Sequence, residues 1–270
     1  MLAFEKYVRP GSARQALELL REHPQATVIG GMMWLRLADR TAPLGIDLSG
    51  CGLDRVEETD EAFRIGAMVT LGQLESHVRF QAATCGAFSE AVRDVVGTQF
   101  RNLATVGGSV YARMGFSDVV TVLLALDTEV ELEGAGVMPI VPFVERGARG
   151  DILTHVIVRK HHYRAAFESV RNAATDFSAL NAAAACWQGS WHVTVGARPK
   201  KATLVTGGER IPLRAGFSPA ELDAACELAE SLDFGDDLRG TAAWRRAVAP
   251  ALVRRAVERA AEKPRAEKEA

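Results

Sequence analysis

Residues 98–111 read TQFRNLATVGGSVY, with Gly107 and Gly108 set between Val106 and Ser109. Adjacent glycines reach positive-φ conformations closed to other residues, so successive N–H groups can point into one concavity and hold an anion. A plain tight connection between two elements accounts for the same pair without any ligand. The pattern recurs upstream as VIGGMMW at 28–34, again directly after an apolar, β-branched segment. Neither a Walker A loop nor GxGxxG is present, and Gly50-Cys51-Gly52 lacks a third glycine. P-loop and Rossmann sites are thereby set aside.

Working outward from the two pairs, Ser12 and Gln15 predict a capped helix carrying Ala16, Leu17 and Leu20, ended by His23-Pro24. A short strand at Thr27–Ile29, a Gly-rich turn with a short helix and a strand in GIDLSG follow, which implies a small parallel sheet. From Leu53 the pattern changes to a hairpin, DRVEE and AFRIGA. Thr70 and Gln73 predict a helix running through Val78, and a second is expected from Phe88 to Val96. VVTVLLAL reads as a buried helix, TEVELEGAG as a strand, and DILTHVIVRKHHYRAAFESVR as two strands. WHVTVGARPKKATLV suggests antiparallel strands around Arg198-Pro199, before helices at Pro219–Ser231 and from Thr241 to Glu262. The charged tail EKPRAEKEA is expected to fray. The division that follows is a small α/β unit over 1–52, an α+β unit over 53–163 and a C-terminal domain over 164–270.

The 270 residues are 48% apolar, enough for real cores, and 32 basic against 34 acidic side chains give no electrostatic footprint for nucleic acid or an anionic membrane. The N-terminal stretch meets charges at Glu5 and Lys6 and does not read as a signal or a span, so a cytoplasmic location is expected. Four scattered cysteines without CxxC spacing argue against a local zinc or iron–sulfur site, and no metal is expected. His155, His161 and His162 lack carboxylate or thiol neighbours at ligand spacing and read as surface or turn histidines. Arg245, Arg246, Arg254, Arg255 and Arg259 read as a solvated face or subunit contact of the last helix, and Glu168 as an exposed strand charge.

RNLATVGGSVYARMGFSDVVTVLLALDTEVEL resembles the second flavin-binding segment of the FAD-binding subunits of molybdenum hydroxylases, the xanthine dehydrogenase and carbon monoxide dehydrogenase type. TVIGGMMWL resembles their first segment, IDLSGCGLDRVEE and FRIGAMVTLGQLE the linking region, and DDLRGTAAWRRAVAPALVRRAVERA the C-terminal helices. The resemblance is colinear over nearly the whole chain. It implies an α+β PCMH-like fold in which two α/β subdomains clasp FAD, followed by a C-terminal domain with a three-stranded antiparallel sheet and helices.

By motif match, Val28, Ile29, Gly30, Gly31, Met32, Met33 and Trp34, with Ala104, Thr105, Gly107, Gly108, Ser109 and Tyr111, would wrap the pyrophosphate and flavin chain, mainly through backbone N–H groups. Ser117 and Asp118 match positions contacting the nucleotide half, although either side chain also suits a plain helix cap, and Leu153 lies near a position that packs by the flavin. Met32 and Met33 stand where the family carries small polar or acidic residues, and Ser109 where it commonly carries Asn. Arg113, Met114 and Phe116 are bulkier than the family's small residues.

The resemblance further implies an oxidoreductase subunit that takes electrons from a partner molybdenum-cofactor subunit through a two-iron two-sulfur subunit, and passes them through FAD to NAD, oxygen or a quinone. Two other functions suit the same fold: a stand-alone flavoenzyme oxidising a small molecule in a biosynthetic pathway, and a flavin-free assembly or binding subunit. Gly107→Val or Gly108→Val is expected to abolish flavin retention in a protein that still folds.

Overall fold

The computed structural model describes residues 1–207 and 213–264. The stretch 1–52 holds β1 (Ala3–Val8), α1 (Ala13–Glu22), β2 (Thr27–Ile29) and β3 (Thr41–Asp47). The three strands form a parallel sheet in the order β1-β3-β2. Ser12 caps α1 by accepting the Gln15 N–H, and Gln15 answers by accepting that of Gly11. That cap sets the phase with which Ala16, Leu17 and Leu20 meet Leu44, Ile46 and Leu48 of the sheet side.

The middle stretch holds β4 (Val56–Glu58), β5 (Ala62–Gly66), α2 (Leu71–Glu75), α3 (Val78–Ala83), α4 (Ala87–Val92), α5 (Thr98–Arg101), α6 (Val106–Ala112), α7 (Asp118–Ala125), β6 (Thr128–Leu132), β7 (Gly136–Pro139), α8 (Ile140–Arg146) and β8 (Leu153–Arg159). Its strands line up as β4-β5-β8-β6-β7. Thr70 and Gln73 form the expected reciprocal cap, but the helix stops at Glu75 and restarts at Val78, where the His77 side chain caps anew.

The C-terminal stretch holds β9 (Arg164–Arg171), β10 (Ser178–Trp187), β11 (Ser190–Gly196), β12 (Thr203–Thr206), β13 (Leu213–Arg214), α9 (Pro219–Glu230) and α10 (Ala242–Glu262). The three long strands β9, β10 and β11 are the antiparallel set the sequence implies, and the short β12 and β13 both add to the edge at β11, making five. A full capping box at Ser218 and Glu221 starts α9, and Thr241 caps α10. Of the charged tail, residues 265–270 lie outside those described.

Contacts gather the chain into two compact units made of interleaved segments. The first takes Met1–Leu74, Thr98–Ala112 and Thr128–Val158; the second takes Glu75–Gly97, Arg113–Asp127 and Arg159–Ala270. Within the second, α7 packs on β10 and β11, and α10 packs on β9 and β10. Its core gathers Trp191, Val193, Leu252, Val253 and Val257. No helix among the described residues is long and apolar enough to cross a membrane.

Candidate functional site

The first unit brings the two glycine pairs together, and the reason each position is glycine differs from the sequence expectation. None of Gly30, Gly31, Gly107 and Gly108 adopts positive φ; Met32 does, at 63°. The requirement is close approach of backbones. A Cβ on Gly31 would stand 1.8 Å from the Leu103 carbonyl oxygen and 3.1 Å from the Thr105 nitrogen. A Cβ on Gly30 would meet Thr105 Oγ1 at 3.0 Å, and one on Gly108 would meet the same oxygen at 2.9 Å. The buried Thr105 thus sits where both pairs converge. The Leu103 carbonyl was not singled out by sequence, since a backbone contact leaves no side-chain signature.

The two loops differ in what their amides are doing. The Val106 N–H donates to the Val69 carbonyl at 2.8 Å and that of Gly107 to Ala67 at 2.9 Å. Gly108 N–H donates to Thr105 Oγ1 at 3.1 Å, and Ser109 N–H and Oγ both donate to the Thr105 carbonyl. In the first loop, the N–H groups of Gly31, Met32 and Met33 find no acceptor among the described residues, and all three residues are only partly covered. Partly covered amides without a protein partner suit a ligand that brings its own acceptors.

Around these loops, Ile29 is buried at the end of β2 and Val28 packs against the α1 cluster. Trp34 is 42% exposed and precedes the 3-10 turn Leu35–Leu37. Ala104 is buried and its carbonyl accepts the Leu71 N–H at 2.8 Å. Tyr111 donates its hydroxyl to the Ala148 carbonyl at 2.8 Å and packs its ring on Phe143. Leu153, buried at the start of β8, pairs with Leu132.

Ser117 and Asp118 belong to the second unit. Ser117 caps α7, its Oγ accepting the Val120 N–H at 3.2 Å. Asp118 is 4% exposed and its oxygens are engaged: Oδ2 accepts from Arg171 at 2.8 Å, and Oδ1 from Ser178 at 2.6 Å and Asn181 at 2.5 Å. Burial pushes its pKa up while the Arg171 charge and these bonds pull the other way. Such a carboxylate anchors α7 to β9 and β10. Phe116 packs on Phe177, with ring centroids 4.4 Å apart.

Three expectations about charged residues are corrected. Arg245 is not on a solvated face: it is fully buried, donating from Nε to the Ala179 and Ala197 carbonyls, from Nη1 to Gly235 and Gly240, and from Nη2 to Asp237 Oδ1 at 2.6 Å. The repeated Arg pairs of the last helix hid which one faces inward. Glu168 is buried rather than exposed, and is bound by Arg259, which also holds Glu90 at 2.7 Å. His155 is buried on β8, its Nδ1 3.3 Å from Glu131 Oε2, and burial lowers its pKa. No group of three or more His, Cys, Asp or Glu side chains placed to hold a metal occurs among the described residues.

Residues 2–161 match the family model described as the FAD binding domain in molybdopterin dehydrogenase. The protein YgfM of Escherichia coli (strain K12) is 29% identical over 253 residues, spanning 92% of this chain and 93% of that one. The nicotine 6-hydroxylase medium subunit of Paenarthrobacter nicotinovorans is 26% identical, spanning 93% of this chain and 95% of its own. Among solved structures, a carbon monoxide dehydrogenase chain from Hydrogenophaga pseudoflava superposes with a TM-score of 0.83 at 23% identity, covering 96% of this chain and 97% of that one. This last likeness establishes the fold.

Proposed function

The chain belongs to the family of FAD-binding domains in molybdopterin dehydrogenases, and on that premise we propose that it is the electron-transferring subunit of a molybdenum hydroxylase complex. Its cofactor is FAD. In this reading, electrons arrive from a molybdenum-cofactor subunit by way of a two-iron two-sulfur subunit and leave to NAD, oxygen or a quinone. The medium subunit of nicotine 6-hydroxylase, similar over almost its full length, supports the division of labour. A cytoplasmic location accompanies the proposal.

The observation that carries it is the open set of amides at Gly31, Met32 and Met33, held against Leu103 and Thr105 by glycines that admit no Cβ. A pyrophosphate needs N–H donors that the protein does not itself consume, and these three supply them. Their donors are backbone, so methionines at 32 and 33 leave them in place. Val28, Ile29, Gly30 and Trp34 would complete the first loop. Ala104, Thr105, Gly107, Gly108 and Ser109 would act mainly as the platform behind it, with Tyr111 and Leu153 fixing its surroundings. Ser117 would offer its hydroxyl proton to the nucleotide half, and Asp118 would hold α7 in place rather than reach a ligand.

When bound, the isoalloxazine supplies the redox chemistry, while the chain's residues bind it and exclude other reactions. The purified chain should show the two visible flavin absorption bands after incubation with FAD. Tagged protein from its native host should recover molybdenum-containing and iron–sulfur partners. A flavin-loaded chain that recovers neither would point to the stand-alone flavoenzyme and sink the subunit reading.

A further inference from the structure

The first glycine loop carries two side chains that the flavin assignment leaves without a task. Met32 and Met33 follow Gly31, where the family carries small polar or acidic residues, and both are only partly covered. A third thioether lies at the same loop, since a Cβ on Gly30 would stand 3.9 Å from Met68 Sδ. Three of the chain's six methionines therefore meet around one short segment. Met68 packs against the α1 cluster, which accounts for it as a hydrophobe.

What separates a thioether from a leucine of similar size is a sulfur lone pair that takes an oxygen atom from a peroxide. The lone pair attacks one oxygen of hydrogen peroxide and the O–O bond breaks. The departing hydroxide then removes the proton from the transferred oxygen to give water. The sulfur is oxidised by two electrons and the peroxide is reduced. The resulting sulfoxide bears a strong hydrogen-bond acceptor where the thioether had a weak one. At most positions this only adds polarity to a surface. Here the new oxygen is tethered beside the N–H groups of Gly31, Met32 and Met33, which find no acceptor among the described residues.

We propose that Met32 and Met33 form a reversible oxidation site through which hydrogen peroxide controls flavin loading. The sulfoxide oxygens accept the loop's own N–H groups and so compete with a pyrophosphate for them. The inference rests on the flavin reading of this loop. Peroxide is the two-electron product when oxygen is the acceptor, and methionine sulfoxide reductases, one for each epimer, return the thioether.

The test uses the full chain freed of flavin. FAD titration of the untreated protein comes first, because failure to bind there overturns the flavin reading and this inference with it. After treatment with hydrogen peroxide, peptide mass mapping should show an added oxygen at Met32 and Met33 ahead of Met114 and Met138, which are also partly covered. FAD should then bind at least tenfold more weakly, and sulfoxide reductases A and B together should restore the untreated affinity. In the FAD-loaded chain the same treatment should leave both methionines largely unmodified. Within the variant Met32→Leu/Met33→Leu, FAD affinities measured with and without peroxide should agree within twofold, whereas Met68→Leu should keep the tenfold loss. If the double variant does not fold, recovery of affinity in step with removal of the added oxygen at Met32 and Met33 decides the same question. Failure of peroxide to modify these two residues overturns the site, as does their full oxidation with FAD affinity unchanged. Either result leaves the flavin reading intact.

Discussion

The glycine loops of the first unit and the charged core of the second solve opposite problems. In the loops, backbone approaches backbone until no side chain fits, and amides are left without protein acceptors. In the core, Asp118 and Arg245 lie buried with their polar atoms spent on protein partners. The contrast teaches that an unspent hydrogen-bonding group, more than a charged residue type, marks where a ligand belongs. Substitutions in the two places should therefore separate stability from flavin content.

The largest effect is expected from Arg245→Ala, which takes the donor away from four carbonyls and leaves the exposed Asp237 carboxylate to water. Leaving a buried carbonyl without a donor costs about 1–3 kcal/mol, so urea denaturation should show a clear loss of stability in the second unit. Any flavin bound at low temperature should retain its normal spectrum. A stability loss under about 1 kcal/mol would break the comparison on that side.

Next comes Gly31→Ala. Its Cβ has to displace the Leu103 carbonyl, an overpacking cost of about 1–3 kcal/mol, and the flavin-to-protein absorbance ratio should drop sharply. Full flavin content in the folded variant would show that the Gly31–Met33 amides hold nothing. Gly107 is a different case, because its Cβ would lie 2.5 Å from Ala67 Cβ and 2.6 Å from its carbonyl oxygen. Gly107→Val is accordingly expected to damage the fold itself, which corrects the expectation of a folded, flavin-free protein; exposed Gly108, facing only Thr105 Oγ1, is the cleaner position.

A smaller effect belongs to pH. Burial lowers the His192 imidazole to about 4, against about 6.5 in an unfolded chain. Between those values the unfolded chain takes up a proton that the folded one refuses. The contribution is intact above about pH 6.5 and is lost as pH falls toward 4. Urea midpoints measured at pH 7.5 and pH 5 should fall further apart in the parent than in His192→Phe, which keeps a ring against Trp187. Equal pH dependence in both proteins would remove His192 as a source of acid lability.

The smallest change is Met32→Gly. A left-handed non-glycine residue costs about 1–2 kcal/mol, partly offset by the greater unfolded freedom of glycine, so a gain of up to about 1 kcal/mol is expected with flavin retained. A loss of stability would mean that the Met32 side chain contributes packing its partial burial does not reveal.

Much of this was legible in the sequence because caps and alternation are local signals. Ser12, Thr70, Ser218 and Thr241 start helices where their side chains say they should. The sequence left elements unassigned where tertiary context decides. SALNAAAACW, alanine-rich and by propensity suited to a helix, is the ten-residue strand β10, which is buried along nearly its whole length. Its small side chains let α7 and α10 pack on the sheet. The strand β1 went unread because AFEKYV is an edge strand with mostly exposed side chains. At the loops, glycine was recognised for freedom of φ when its use is the space a missing Cβ leaves, and sequence does not distinguish the two.

The interleaving of segments has a consequence for the order in which a ribosome delivers them. By Val158 every segment of the first unit has been synthesised, while the second has only its helical pieces at 75–97 and 113–127. Those pieces include α7, all eight of whose residues are buried in the folded protein and six of them apolar, and its sheet partners β10 and β11 begin only at Ser178. At about 5–20 residues per second, α7 waits several seconds for β10 and β11 to be made. During that interval the nascent chain holds one finished body and one uncovered greasy helix, the form in which a chaperone would find it.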